Sequence, residues 1–360
     1  MKRKILQLEI TPHGTNLPFF PYSMLRTVQG IMGRKTNYGM APKGFTTQQR
    51  FTLNKVVYKK PYNKGKNHQS YPRYTPKKIT NVSEFPLYEP KVQEPVSESL
   101  QLLKDHISQG KPLSIQDYFQ STHFAFAEEK QESSLRFLKN NIELINSGRP
   151  LIAMDCEAYE REHLSVTEIG IAVMENNGER IPDIKTYHVV VLEHIDKRNS
   201  RYVPDKKDNF MGGTSLVMTK QKSREFLQGI LEKYIEGKDG ILICHQVSSE
   251  LKYFRSIGLT HRQDIKTLDT MSLQQISRLG GNSLWATLRL LGIPYAHLHN
   301  AGNDAYFTLL AALALCDPVT RIKKNLDIYS ESQYKGKKGS HKDEAEYVVV
   351  EDVQLLMKSL

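Results

Sequence analysis

The chain has 360 residues, 39% of them hydrophobic, and a formal net charge of +11 at pH 7. Residues 1–83 contain sixteen Lys and Arg against a single acid, Glu9, so the remainder of the chain is net acidic. A basic arm joined to an acidic body suggests a polyanionic partner or a targeting segment, and the absence of an apolar stretch near 20 residues predicts no membrane partner.

The first segment, residues 1–95, lacks sustained hydrophobic periodicity and contains ten prolines. Few aliphatic clusters are available to offset the entropy of ordering, so this segment is predicted to be a largely disordered arm. A mitochondrial presequence is the alternative, although Pro12, Pro18 and Pro21 disfavour an amphipathic helix there. Residues 96–147 follow as a helical lead-in, with helical patterns over Ser97–Ile107 and Glu128–Ile145.

The segment 148–320 changes character and alternates short apolar runs with helical patterns. Its pattern predicts an α/β fold with a mixed five-stranded sheet covered by helices on both faces. The predicted strands are Leu151–Glu157, Glu168–Glu175, Thr186–Glu193, Gly240–His245 and Ile265–Leu268. The predicted helices are Lys222–Ile235, Ser249–Ile257, Leu284–Leu291 and Asp304–Cys316, and a polar tail with a short apolar end occupies residues 321–360.

Two acids, Asp155 and Glu157, stand two residues apart at the end of the first predicted strand. Because side chains alternate along a strand, both carboxylates face the same side while Cys156 faces the core. At about 4 Å and an effective dielectric constant near 20, their repulsion is on the order of 4 kcal/mol. Such a pair is typical of a divalent cation site or a shared proton, although solvated strand ends also carry it.

Three further residues are candidates only in combination. Asp304 and Glu250 each lie near the start of a predicted helix, where an acid favourable to the helix dipole is the ordinary explanation. His299 precedes Asp304 in a loop, where it is either a surface residue or a general base. Because all three follow the D-x-E pair in the chain, we consider a single site formed by these residues together with that pair.

The order D-x-E, then H-[NQ]-x-x-x-[DE] from His245 to Glu250, then H-x-A-x-x-D-A from His299 resembles the exonuclease motifs of the DEDDh superfamily. The run LIAMDCEAYEREHLSVTEIGIAVME, residues 151–175, is similar to the fungal family named "good for full DEAD-box activity". The segment Asp208–Ser215 is similar to that family's F-x-F-G-x-S element, with Met211 and Gly212 shifting the pattern. The resemblance covers about half the chain and leaves out the basic arm.

The resemblance implies an RNase H-like fold and a site that holds two ions of Mg²⁺ or Mn²⁺. According to this resemblance, Asp155 would bridge both ions, and Glu157 and Asp304 would complete the coordination shell of the first ion. Glu250 would stand where the family usually has Asp, in an outer-sphere position, and His299 would deprotonate the attacking water. The two ions, about 3.5–4 Å apart, would activate that water and stabilise the displacement.

Two functions follow from these observations. The first is a metal-dependent 3′→5′ exonuclease acting on RNA or single-stranded DNA. The second is a degenerate nuclease fold that serves as an RNA-binding scaffold for a DEAD-box RNA helicase, as the family's link to mRNA export implies. Three cysteines without CxxC or zinc spacing predict buried thiols in an intracellular protein. The expected compartment is the nucleus or the cytoplasm, with the mitochondrion as the alternative.

Overall fold

The computed structural model describes residues 97–175, 182–260 and 264–331, which form an α/β domain around one mixed sheet. The predicted arm (residues 1–95) and most of the predicted tail lie outside the described residues. The strands are β1 Leu151–Tyr159, β2 Glu162–Glu175, β3 Asp183–Val191, β4 Leu216–Met218, β5 Ile241–Cys244 and β6 Lys266–Asp269. The helices are α1 Glu98–Ser108, α2 Ile115–Gln120, α3 Gln131–Ile145, α4 Lys220–Ile230, α5 Val247–Ser256, α6 Thr270–Gln275, α7 Leu284–Leu291, α8 Ala301–Leu315 and α9 Pro318–Lys323.

The described strands lie in the order β4-β3-β2-β1-β5-β6. β1, β2 and β3 form an antiparallel meander, while β5 and β6 run parallel to β1. The α/β class and the helices on both faces are confirmed, but the predicted strand number of five is wrong, since six strands are present. The missed strand, β4, has only three residues with an exposed Val217, which is too short for an alternating pattern to be recognised.

The central strand β1 is buried on both faces, and its alternating residues divide the core into two parts. Leu151 and Ala153 join the larger hydrophobic cluster, which contains α8 and most of α7. Ile152, Met154 and Cys156 join the second cluster, formed with α4 and α5 on the opposite face. Because of the same alternation, Asp155 and Glu157 fall on the α8 side of the sheet.

The lead-in helices contribute to the same core as the sheet. Leu100, Leu138 and Ile142 belong to the cluster that holds α8. A buried ionic group also ties α2 to the end of the domain, because Arg321 donates to Asp327 over 2.7 Å and Tyr118 donates to the same carboxylate over 2.8 Å. Burial of these charges is tolerable because they are paired and hydrogen-bonded. Within the described residues, no helix is both long and apolar enough to cross a membrane.

The first turn of α8 lies unusually close to the sheet. A Cβ atom built on Gly170 in β2 would fall 1.7 Å from the carbonyl oxygen of Ala301, so only glycine permits this approach. A Cβ atom on Gly302 would likewise fall 2.6 Å from the ring of Phe210 and 2.8 Å from Cβ of His188. The start of α8 is therefore fixed between β2, β3 and the loop that carries Phe210.

The contact at Gly170 leads to a stability prediction. Gly170→Ala should lower the free energy of unfolding by about 1–3 kcal/mol or more, because backbone atoms of α8 must move to admit the methyl group. Urea unfolding followed by circular dichroism measures this change. Gly229→Ala in α4 is the matched control, since nothing lies within 4 Å of its added Cβ and helix propensity should raise stability by about 0.5–1 kcal/mol. Equal stability of the two variants would contradict the close approach.

Candidate acidic metal site

The D-x-E pair lies at the end of β1, where the strand leaves the core. Asp155 is opposite Gly170 and Glu157 is opposite Glu168 in the antiparallel pairing with β2. Both side chains are half-buried, and they point to the face covered by α8. The alternation predicted from the sequence thus places two carboxylates beside the first turn of that helix.

The loop before α8 brings His299 and Asp304 to Glu157. Asn300 caps the helix by accepting a hydrogen bond from the backbone N–H of Asn303 over 3.2 Å. His299 takes a left-handed backbone conformation, with φ of 66°, and its N–H donates to Asp304 Oδ2 over 2.9 Å. Its Nδ1 lies 3.7 Å from Glu157 Oε1. Possible ligand atoms of Glu157, His299 and Asp304 all lie within 4.8 Å of one another.

Glu250 reaches the site from the other side. It lies in the first turn of α5, which follows β5 directly and packs with the second cluster through Phe254. The start of this helix is held by Asp269, whose carboxylate accepts from the N–H groups of Gln246 and Val247 over 3.0 and 3.2 Å. Asp269 therefore holds the loop between β5 and α5.

The four acids interact electrostatically in a partly dry environment. Burial raises the pKa of Asp155 well above its usual range, and Glu250, Asp304 and Glu157 raise it further. Burial also raises the pKa of Asp304, again with a contribution from Glu157. For Glu250, burial raises the pKa to about 8, against hydrogen bonds from Cys156 that lower it. Without a counter-charge, the raised pKa values of Asp155, Glu250 and Asp304 therefore favour their protonated forms, and a bound cation would displace those protons.

Two buried oxygens have properties that fit a cation site. Glu250 Oε2 and Asp304 Oδ1 are buried and make no hydrogen bond to any described group. A buried carboxylate oxygen without a partner is costly, and oxygen donors of this kind are the ligands that Mg²⁺ and Mn²⁺ prefer. The residues present therefore fit a divalent metal. Asp155 and Glu250 are not part of the group formed by Glu157, His299 and Asp304. Neighbouring carboxylates nevertheless raise the pKa of both side chains.

A network of buried polar side chains lies behind the site, and the sequence did not predict it. Glu168 Oε2 lies 3.0 Å from His188 Nε2, and His188 Nδ1 lies 2.8 Å from Ser215 Oγ. Asn300, which caps α8, donates to the carbonyl of Lys207 over 3.2 Å. Glu168 lies beside Glu157, its partner in the pairing of β1 with β2. The sequence signal that could have identified His188 is a histidine within the β-branched run TYHVVV.

This network connects the Asp208–Ser215 segment to the site. Met211 N–H donates to Asn303 Oδ1 over 2.9 Å, and Asn303 Nδ2 donates to the carbonyl of Asn209 over 3.0 Å. The Phe210 ring lies 5.3 Å from that of His188. The segment that resembles the F-x-F-G-x-S element thus supports the first turn of α8, which carries Asp304.

Comparison with known proteins gives a consistent family. A family model described as "DNA polymerase III subunit epsilon-like, C-terminal domain" matches residues 150–315. An uncharacterized nucleolar protein of Schizosaccharomyces pombe is 37% identical over 172 residues, which are 45% of this chain and 67% of that protein. "Good for full DBP5 activity protein 2" of Saccharomyces cerevisiae is 31% identical over 220 residues, 52% of this chain and 39% of that protein.

Two further matches were found, one to a relative and one to a solved structure. An uncharacterized protein of Saccharomyces cerevisiae is 35% identical over 216 residues, 51% of this chain and 45% of that protein. The chain therefore spans less than half the length of both Saccharomyces relatives. A solved structure described as "3'-end specific recognition of histone mRNA stem-loop by 3'-exonuclease" aligns with a TM-score of 0.35 and 12% identity over 65% of this chain and 88% of that chain. A likeness that low does not bear on function.

The raised pKa of Glu250 leads to a prediction about stability and pH in the metal-free protein. The folded state keeps a proton on Glu250 up to pH about 8, whereas the unfolded chain releases it near 4.5. Raising the pH from about 5 to 8 therefore favours the unfolded state and lowers the free energy of unfolding. Urea unfolding in the presence of a chelator measures this slope, which should become shallower in Glu250→Gln.

Glu143→Gln provides the control for this prediction, because it removes an exposed carboxylate of α3 outside the site. Its slope should match that of the unsubstituted protein. Added Mn²⁺ should reverse the trend, since a cation favours the deprotonated carboxylates. If Glu250→Gln kept the full slope, Glu250 would not be the proton-holding group.

Proposed function

The chain belongs to the DEDDh exonuclease-like superfamily, in the fungal family named "good for full DEAD-box activity", and from this membership we propose that it is a metal-dependent 3′→5′ exonuclease of single-stranded nucleic acid, RNA in particular. The observation that carries the proposal is the meeting of Glu157, His299 and Asp304 beside Asp155 and Glu250. These are the five residues that the motifs single out, and they come from three separate elements.

In this proposal, Asp155, Glu157 and Asp304 would hold two ions of Mg²⁺ or Mn²⁺, with Glu250 contributing through water. When bound, such ions would supply an activated water and stabilise the charge that develops on the phosphate. His299 accepts the proton of the water, because it is the histidine that lies over the acids with a partly exposed ring. Glu157, 3.7 Å from its Nδ1, stabilises the resulting imidazolium.

The network behind the site keeps this arrangement fixed. Glu168 and Asn300 hold the start of α8 against β2 and the Lys206–Lys207 backbone. Because His299 and Asp304 flank that turn, a shift of the helix would separate the base from the acids. We assign Glu168 and His188 a positioning role rather than contact with substrate.

The relatives' names supply the context for the proposal. One relative is named for the activity of DBP5, so a DEAD-box RNA helicase is the partner we propose for this chain. Another is named a nucleolar protein, which favours the nucleus over the mitochondrial alternative. The basic segment of residues 1–83 supports binding of a polyanion such as RNA.

Cleavage of an end-labelled strand tests the enzymatic proposal. With Mn²⁺ or Mg²⁺, the protein should shorten a 5′-labelled single strand stepwise from its 3′ end, and Asp155→Ala should reduce shortening to background because it removes a carboxylate that would hold the ions. Asp183→Ala is the matched control, since it removes an exposed acid from the end of β3 that lies away from Glu168 and the acidic site. Absence of cleavage with every divalent ion tested, at high protein concentration, would discard the proposal.

A second function is favoured by Glu250 itself. Its pKa of about 8 leaves it protonated near neutral pH, and its longer side chain replaces the usual aspartate. Under this alternative the domain is a degenerate nuclease fold that binds RNA and a helicase partner without cleavage.

Calorimetry with Mn²⁺ separates the two functions. The enzymatic proposal expects the unsubstituted protein to bind Mn²⁺ with an affinity that rises with pH, because the acids must lose protons. Glu250→Asp should then change that affinity only modestly. If Mn²⁺ bound only to Glu250→Asp, the result would instead support the scaffold. The glutamate at position 250 would then be the reason why the metal site is lost.

A further inference from the structure

The loop that crosses the end of the β1–β2 hairpin is held at its centre by the side chain of Glu160. The carboxylate of Glu160 accepts hydrogen bonds from the backbone N–H groups of Ser200, Arg201, Tyr202 and Val203 at 2.9–3.4 Å. A carboxylate that receives several N–H groups is a strong anchor, and these bonds lower the pKa of Glu160.

Two further contacts fix the ends of the same loop. Asn199 accepts from the N–H of Glu160 and donates to the carbonyl of Ala158, both at 2.9 Å. Arg198 bridges Asp205 and Asp208 at 3.3 and 3.1 Å. The loop is therefore tied to the hairpin on one side and to itself on the other, although it has no regular secondary structure.

The loop presents an aromatic ring to solvent. Tyr202 is 71% exposed, the largest exposure among the large hydrophobic side chains of the described residues. The guanidinium carbon of Arg201 lies 5.1 Å from the centre of its ring. Anchored backbone on both sides of an exposed ring means that little further ordering is needed when a flat ligand stacks on it.

The position of this ring relates it to the acidic site. Glu160 follows Glu157 by three residues, so their Cα atoms are at most about 10 Å apart. Tyr202 N–H bonds directly to Glu160. A single strand whose 3′ end lay at Asp155 and Glu157 would have its preceding nucleotides within reach of this region, where a base could stack on the ring and a phosphate could meet the guanidinium.

We propose that Tyr202 and Arg201 form a stacking platform for a nucleobase of a single-stranded nucleic acid, upstream of the 3′-terminal nucleotide. The platform rests on the proposed function for the identity of the strand. Glu160 is a positioning residue, since it holds the platform and need not touch the ligand. Stacking of this kind accepts any base, so the platform supplies affinity and register rather than sequence preference.

Binding in the absence of cleavage tests the platform. The anisotropy of a 5′-labelled oligonucleotide is measured with the full chain in a chelator, using the intact strand and strands with one abasic site at successive positions near the 3′ end. One abasic position should weaken binding to the unsubstituted protein by roughly 5- to 100-fold. Tyr202→Ala should weaken binding of the intact strand by the same factor and show no further loss with that abasic strand.

Two substitutions provide the controls. Tyr202→Phe keeps the ring and should bind as the unsubstituted protein does. Leu102→Ala removes a side chain of similar exposure from α1 and should have no effect. Two results would overturn the platform and assign the exposed ring to another partner. The first is that Tyr202→Ala binds the strand as tightly as the unsubstituted protein does. The second is that the loss of affinity from Tyr202→Ala and the loss from the abasic site add in full at every abasic position.

The cleavage assay keeps this outcome separate from the proposed function. If the unsubstituted protein shortens strands but Tyr202 shows no coupling to any base, the platform alone is wrong. If coupling is present without cleavage under any divalent ion, the platform stands and the domain binds strands without cutting them.

Discussion

The contact between the first turn of α8 and the backbone of β2 determines where the site can form. Gly170 leaves room for the carbonyl of Ala301, and Gly302 leaves room for Phe210 and His188. His299 and Asp304 lie on either side of this contact, and the acids of β1 face it. A side chain at either glycine would push the helix outward, so the site depends on backbone packing before it depends on any ligand.

Concentrating acids at that contact has an energetic cost that the fold accepts. Asp155, Glu250 and Asp304 all have raised pKa values, with burial as the largest cause for each. A structure optimised only for stability would replace such groups with apolar side chains. Retention of a buried acid cluster with orphaned oxygens is therefore an indication of function, and a divalent cation is the counter-charge that removes the cost.

Much of the domain could be predicted from local sequence, and the exceptions have physical reasons. Helix α7 and the buried strands could be recognised because the core imposes helical spacing on the one and apolar runs on the others. β4 was missed because three residues carry no period. The site residues could be proposed from motif order, since each motif falls at a strand end or helix start, but their meeting depends on long-range pairing.

The supporting network was beyond local prediction for the same reason. Glu168, His188 and Ser215 belong to two strands and a loop that become neighbours only when the sheet forms. No spacing rule links them, because the separation of their positions is set by loops of arbitrary length. The clue available in advance was chemical: a histidine and a glutamate inside apolar strands need partners if they are buried.

Glu250 can serve the site because of the direction from which it arrives. α5 packs on the face opposite α8, so its carboxyl group must reach across the end of β1 toward Asp155. A glutamate carries its carboxyl group one methylene farther from α5 than an aspartate would. Its cost is an oxygen that stays buried without a partner until a cation or a proton neutralises it.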